Sequence, residues 1–132
     1  MGVTCTLKHC GNKTYYCNVE LTLQVIGGKW KPIIMYRLGD GGTLRFSEVK
    51  RSIPNISQKM LTQQLRELEA DGVVHREVHP QVPPRVDYSL TELGKSVMPV
   101  IESLSRWGRR YEDWANRQDS GHEARGAASA VL

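Results

Sequence analysis

The stretch from Leu44 to Val78, LRFSEVKRSIPNISQKMLTQQLRELEADGVVHREV, decides how the chain folds. Ser57 is a good helix N-cap, and Leu61, Leu65 and Leu68 fall within a roughly 60° arc at about 100° per residue. The spacing predicts an amphipathic helix from Ser57 to about Asp71, closed by Gly72 at the position that favours a left-handed residue. Lys59, Thr62, Gln63 and Arg66 project from its other face. Ser47 to Ser52 reads as a shorter helix, and Pro54 separates the two by driving the residue before it out of the helical region.

Past Gly72 the period changes to two. Val74, Arg76 and Val78 alternate with His75, Glu77 and His79, then Val86, Tyr88 and Leu90 alternate with Asp87 and Ser89. Pro80, Pro83 and Pro84 between them cannot donate to a ladder, so the pair is a hairpin with a protruding tip. Leu44-Arg45-Phe46 is a candidate short strand.

Working outward, Asn18 is the expected cap of a first helix with Glu20 in its first turn, and Gly27-Gly28 end it. A second, buried helix has Pro32 in its first turn and stops at Gly39 to Gly42. Thr91 caps a last helical region in which Leu93, Val97, Ile101, Leu104, Trp107, Tyr111 and Trp114 recur three or four residues apart, and Pro99 should kink or divide it. Three segments follow: a cysteine-containing stretch over 1–17, a main domain over 18–117 and a flexible tail over 118–132, poor in large apolar groups.

Bulk properties narrow the class. The 132 residues suit one domain that buries a core without disulfides, and no apolar run approaches the roughly 20 residues that span a bilayer. The N-terminus lacks the apolar core of a secretory signal, so the expectation is a cytoplasmic protein away from the membrane. The net charge of +4 suits a polyanion, and its excess lies in Lys8, Lys13, Lys29, Lys31 and Arg37 against Glu20. No phosphate loop, HExxH spacing or paired carboxylates are present, so neither an enzyme nor a cofactor is expected.

The order of elements is that of a winged helix-turn-helix, mainly α with a small β-hairpin wing. GGKWKPIIMYRL (27–38), the opening stretch and YSLTELGKSVMPVIESLSRWG (88–108) together resemble the HxlR-type branch of MarR-like transcriptional regulators over roughly residues 17 to 114. The resemblance implies a homodimeric regulator of double-stranded DNA that dimerises through its terminal helices. The longer helix would enter the major groove, and the hairpin would act as a wing. A two-fold dimer of this kind predicts an inverted-repeat operator with recognition helices about 34 Å apart.

The residue chemistry agrees. The major groove, about 12 Å wide, admits one helix, and Gln58, Lys59, Thr62, Gln63 and Arg66 can meet base edges there while Ser57 and the helix N-terminus suit phosphate. Glu67, Glu69 and Asp71 at the far end favour insertion of the N-terminal turns. Arg76 and Arg85 flank the hairpin tip and are candidates for phosphate or minor groove. Leu104, Trp107, Tyr111 and Trp114 are the candidate dimer interface, with Leu93 and Val97 facing the chain's own domain.

Cys17 ends the N-terminal segment, just ahead of the first helix. The family resemblance implies sensing of an oxidant or electrophile there, and the helix dipole, with Lys8, Lys13, Lys29 and Lys31 in the same region, would favour the nucleophilic form. Cys5 and Cys10 are candidate resolving thiols. Four alternatives stay open: an inert Cys17 packed under Trp30 or the terminal helix; a zinc site from Cys5, His9, Cys10 and Cys17; a small-molecule pocket lined by Trp30, Tyr36, Trp107 and Tyr111; and a winged helix that binds protein instead of DNA.

Overall fold

The computed structural model describes residues 6–124, and it divides after Met98 into two compact units. In the first unit, strands β1 (Lys8–Cys10) and β2 (Lys13–Tyr15) precede helices α1 (Asn18–Ile26) and α2 (Trp30–Gly41). Strand β3 (Leu44–Arg45), helices α3 (Phe46–Ser52) and α4 (Gln58–Ala70), strands β4 (Val74–His79) and β5 (Arg85–Leu90), and the short helix α5 (Glu92–Ser96) complete it. Helix α6 (Met98–Ala124) carries the chain into the second unit.

Helix α4 forms where the leucine spacing places it. The Ser57 hydroxyl accepts from the Met60 amide at 3.0 Å, and Gly72 takes φ 80° at the far end, the left-handed conformation that costs glycine least. Leu61, Leu65 and Leu68 are all buried, in a core shared with Ile34, Met35 and Leu38 of α2, Val49 of α3, and Val73, Val74, Tyr88 and Leu90 of the hairpin region. Between α3 and α4, Pro54 is followed by Asn55 at φ 75°, so the chain turns sharply from one helix into the next.

The hairpin pairs antiparallel from Val74↔Leu90 to His79↔Arg85, with residues 80–84 at its tip. β3 adds to its other edge through Leu44↔Tyr88 and Arg45↔Asp87, so β5 is the central strand. That position explains the uneven burial of the two strands: Asp87, Tyr88 and Leu90 of β5 are buried, whereas only Val74 of β4 is.

Several boundaries differ from expectation. Asn18 lies inside α1, and its N-cap is Cys17, in extended conformation with no side-chain cap bond. Helix α2 continues through Gly39 and Gly41 and stops at Gly42, at φ 75°. A Cβ on Gly39 would strike the side chain of Met98 and one on Gly41 that of Leu44, so these glycines serve close packing instead of ending the helix. The last helical region divides at Val97, which leaves Pro99 in the first turn of α6, where its missing N–H costs little. Leu93 is exposed and does not face the domain core. Helix α6 runs on through 118–124, residues whose composition suggested a tail. The small hairpin β1–β2, turning through Gly11 at φ 60°, has no counterpart among the predicted elements.

Candidate nucleic-acid interface

The polar face of α4 is built from its buried one. Because Leu61, Leu65 and Leu68 lock one side of the helix into the core, Gln58, Lys59, Gln63 and Arg66 are exposed and Thr62 is half-buried. Gln58, Lys59, Thr62, Gln63, Arg66 and Glu67 line one open surface. Gln58, Thr62 and Arg66 also border a groove of about 420 Å³ whose other wall comes from Phe46, Arg76, Val86 and Tyr88, with Glu69 at its side. Three of the expected α4 contacts therefore meet Arg76 of the wing around one groove, and Lys59 and Gln63 join the same three on the open surface of α4.

Phe46, Val86 and Tyr88 were absent from the sequence-derived set. The rings of Phe46 and Tyr88 lie 6.4 Å apart and tilted by 53°, and both line the groove between α4 and the hairpin. The period-two pattern of β5 was the available signal: it puts Val86 and Tyr88 on one face, though not opposite α4.

Arg85 is placed differently. Its Nε and Nη2 donate to the two carboxylate oxygens of Asp87, each at 3.0 Å, and His79 Nε2 lies 3.0 Å from Asp87 Oδ2. Asp87 is buried, and a buried carboxylate requires such partners. The Arg85 hydrogen bonds hold Asp87 below the usual carboxylate range, with His79 contributing, and Asp87 raises Arg85 in turn. Arg85 thus braces the wing, while Arg76 keeps its charge at the groove. His79, on the face of β4 that also carries His75 and Glu77, joins this cluster.

The N-terminal lysines are also engaged elsewhere than around Cys17. Lys31 reaches Glu67 at 2.7 Å, Lys13 reaches Asp71 at 3.0 Å, and Lys29 lies over the Trp30 ring at 4.6 Å. Two of the three acids at the far end of α4 are therefore neutralised by residues distant in sequence. The hydrogen bond from Lys31 lowers the pKa of Glu67.

Cys17 is a free, exposed thiol at the N-cap of α1. Around it, the Tyr16 amide donates to Glu20 Oε1 at 2.7 Å, and Gln24 Nε2 donates to the Thr14 carbonyl at 2.8 Å, tying α1 to β2. Cys10 is likewise free and exposed on β1. Cys5 lies outside the described residues. Among the described residues no three His, Cys, Asp or Glu are grouped to hold a metal, and His9 and Cys10 succeed each other on a strand, which turns them to opposite faces.

In the second unit, Leu104, Trp107, Tyr111 and Trp114 are all exposed along α6. Trp107 and Tyr111 stack at 5.5 Å, and Tyr111 and Trp114 lie 5.6 Å apart, so the three rings form one continuous apolar stripe. Among the described residues no helix is long and apolar enough to cross a membrane.

Residues 25–116 match the model of the HxlR-like helix-turn-helix family. An uncharacterized HTH-type transcriptional regulator of Methanothermobacter thermautotrophicus is 51% identical over 114 residues, covering 86% of this chain and 85% of that protein. The redox regulator HypR is similar in both solved states. Its oxidized form is 57% identical at TM-score 0.67, over 71% of this chain and 96% of HypR. The reduced form is 53% identical at TM-score 0.71, over 76% and 99%. The reduced form of the transcriptional regulator YodB from Bacillus subtilis is 35% identical at TM-score 0.62, over 79% of this chain and 95% of YodB.

Proposed function

The chain belongs to the HxlR-like helix-turn-helix family and is a DNA-binding transcriptional regulator, and on that premise we propose that it binds an inverted repeat as a homodimer whose grip responds to oxidants or electrophiles through Cys17. The observation that carries the DNA-reading part is the single concave surface shared by α4 and the wing. There Gln58, Thr62 and Arg66 border the groove, and Arg76 brings a second cation to it, while Lys59 and Gln63 line the open surface of α4 that shares those three residues. Ser57 and the first amides of α4 take phosphate, and the helix's next turns meet base edges.

The two protomers join along the stripe of Leu104, Trp107, Tyr111 and Trp114, since an exposed aromatic row on a soluble regulator is covered in the working assembly. The redox part is supported by an accessible sulfur at the N-cap of α1 and by similarity to HypR, a redox regulator solved in two oxidation states. Cys10, also accessible, and Cys5 are the resolving candidates within the chain, and the partner's copy of the same thiol is the candidate between chains.

Cys17→Ser tests it. The variant is expected to bind DNA as the parent does under reducing conditions and to lose the parent's response to diamide. A variant that still responds in full places the sensing elsewhere. A response to a non-covalent ligand that survives removal of all three thiols supports a ligand-controlled regulator instead.

A further inference from the structure

Lys31 is the exceptional residue of α2. Lysine is almost never buried unless paired, yet it is only 9% exposed and sits one helix away from the polar surface of α4. Its Nζ lies 2.7 Å from Glu67 Oε1. The other oxygen of that carboxylate, Oε2, accepts from Gln63 Nε2 at 3.3 Å. A three-residue chain therefore runs from the core side of α2 to the exposed amide of Gln63.

The chemistry of the middle member sets the direction of the last. An ionised carboxylate only accepts hydrogen bonds, so Gln63 can turn only its amide nitrogen toward Glu67. A rotated amide would set Oε1 against a carboxylate oxygen. Lys31 holds the ionised Glu67 in place at 2.7 Å, and its hydrogen bond is the largest influence lowering the Glu67 pKa, ahead of that from Gln63. One hydrogen of Gln63 Nε2 is thus committed to Glu67, and the second remains available beside Oε1.

We infer that Lys31, acting through Glu67, is a specificity-determining positioning residue that holds Gln63 in the one amide orientation presenting donor and acceptor together to adenine. That pair matches N7 and N6 in the major groove, whereas an amide free to rotate offers the two groups in either order and tolerates other bases. The inference rests on the reading of α4 as the groove-entering helix. Lys31 and Glu67 need not touch DNA for the effect.

The test is selection of bound duplexes from a random pool with the full chain, Gln63→Ala, Lys31→Met and Glu67→Gln, followed by binding measurements at two salt concentrations on the selected site. Gln63→Ala is expected to erase an adenine preference at one position of each half-site. Lys31→Met and Glu67→Gln are expected to relax that same position by about tenfold, with other positions and the salt dependence unchanged. Full adenine preference in both variants overturns the relay while leaving DNA reading intact. A uniform loss at all positions also overturns it, because that is the signature of a helix merely docked badly. Glu67 is partly exposed, so Glu67→Gln decides the matter if Lys31→Met does not fold. A parent that selects no sequence overturns the reading of α4 itself, and the relay with it.

Discussion

Helices α4 and α6 carry the same kind of pattern and end in opposite situations. In α4, Leu61, Leu65 and Leu68 are 0%, 1% and 0% exposed, closed off by α2 and the hairpin within one unit. In α6, Leu104, Trp107, Tyr111 and Trp114 are 51%, 64%, 51% and 49% exposed, with Trp107 stacked on Tyr111 and Trp114 tilted against it. A helical repeat of apolar residues identifies a face to be covered but not what covers it. The α4 seam belongs to the chain's own core, and its polar face is left for a ligand. The α6 seam stays exposed, and in the proposed dimer a second protomer covers it.

The largest effect expected from this contrast is at α6. Trp107→Asp puts a charge in the exposed stripe, so the variant should stay folded, with a melting temperature that no longer depends on protein concentration, sediment as a monomer and bind DNA about 100-fold more weakly, the loss expected when two linked half-site contacts become independent. An unchanged mass would remove α6 from the dimer contact. The converse substitution in α4, Leu65→Ala, should leave any dimer contact alone and cost about 2–5 kcal/mol of folding stability, read by chemical denaturation. A cost below about 1 kcal/mol would mean that the α4 seam is not the core this account makes it.

A smaller effect sharpens the contrast within the DNA-facing half, where Asp87 is pinned by Arg85 and His79. Its carboxyl is held below the ordinary range and so binds a proton less readily in the folded than in the unfolded chain. Its contribution is therefore complete above about pH 4 and disappears as pH falls through the lowered value. Asp87→Asn should melt below the parent near neutral pH, and the gap should stay constant down to about pH 4 and narrow as the pH falls further. A gap independent of pH would assign the cost to packing and not to the ion pair.

How much of this was legible follows from the range of each interaction. Ser57, the leucine repeat and Gly72 specify α4 locally, and the alternating residues around Pro80 to Pro84 specify the wing, so both stand where the pattern puts them. The small hairpin β1–β2 has three-residue strands, KHC and KTY, without an apolar alternation to reveal them. Cys17 was legible as a helix entrance, but its exposure depends on how that hairpin and α1 sit. Lys13 and Lys31 read as part of a basic N-terminus because their partners Asp71 and Glu67 lie far along the chain. Arg85 and Asp87 are two apart on one strand and so share a face. That pairing was available from the spacing, but the charge of Arg85 alone directed attention to DNA.

The central claim is that the polar face of α4 reads DNA in a two-fold assembly. Selection of duplexes from a random pool by the reduced full chain, with the mass of the recovered complex measured, tests it most directly. The account predicts two protomers per duplex on two copies of one motif in inverted orientation, with centres about one helical turn apart or a multiple of it. Recovery of single or directly repeated motifs bound by one protomer would contradict it.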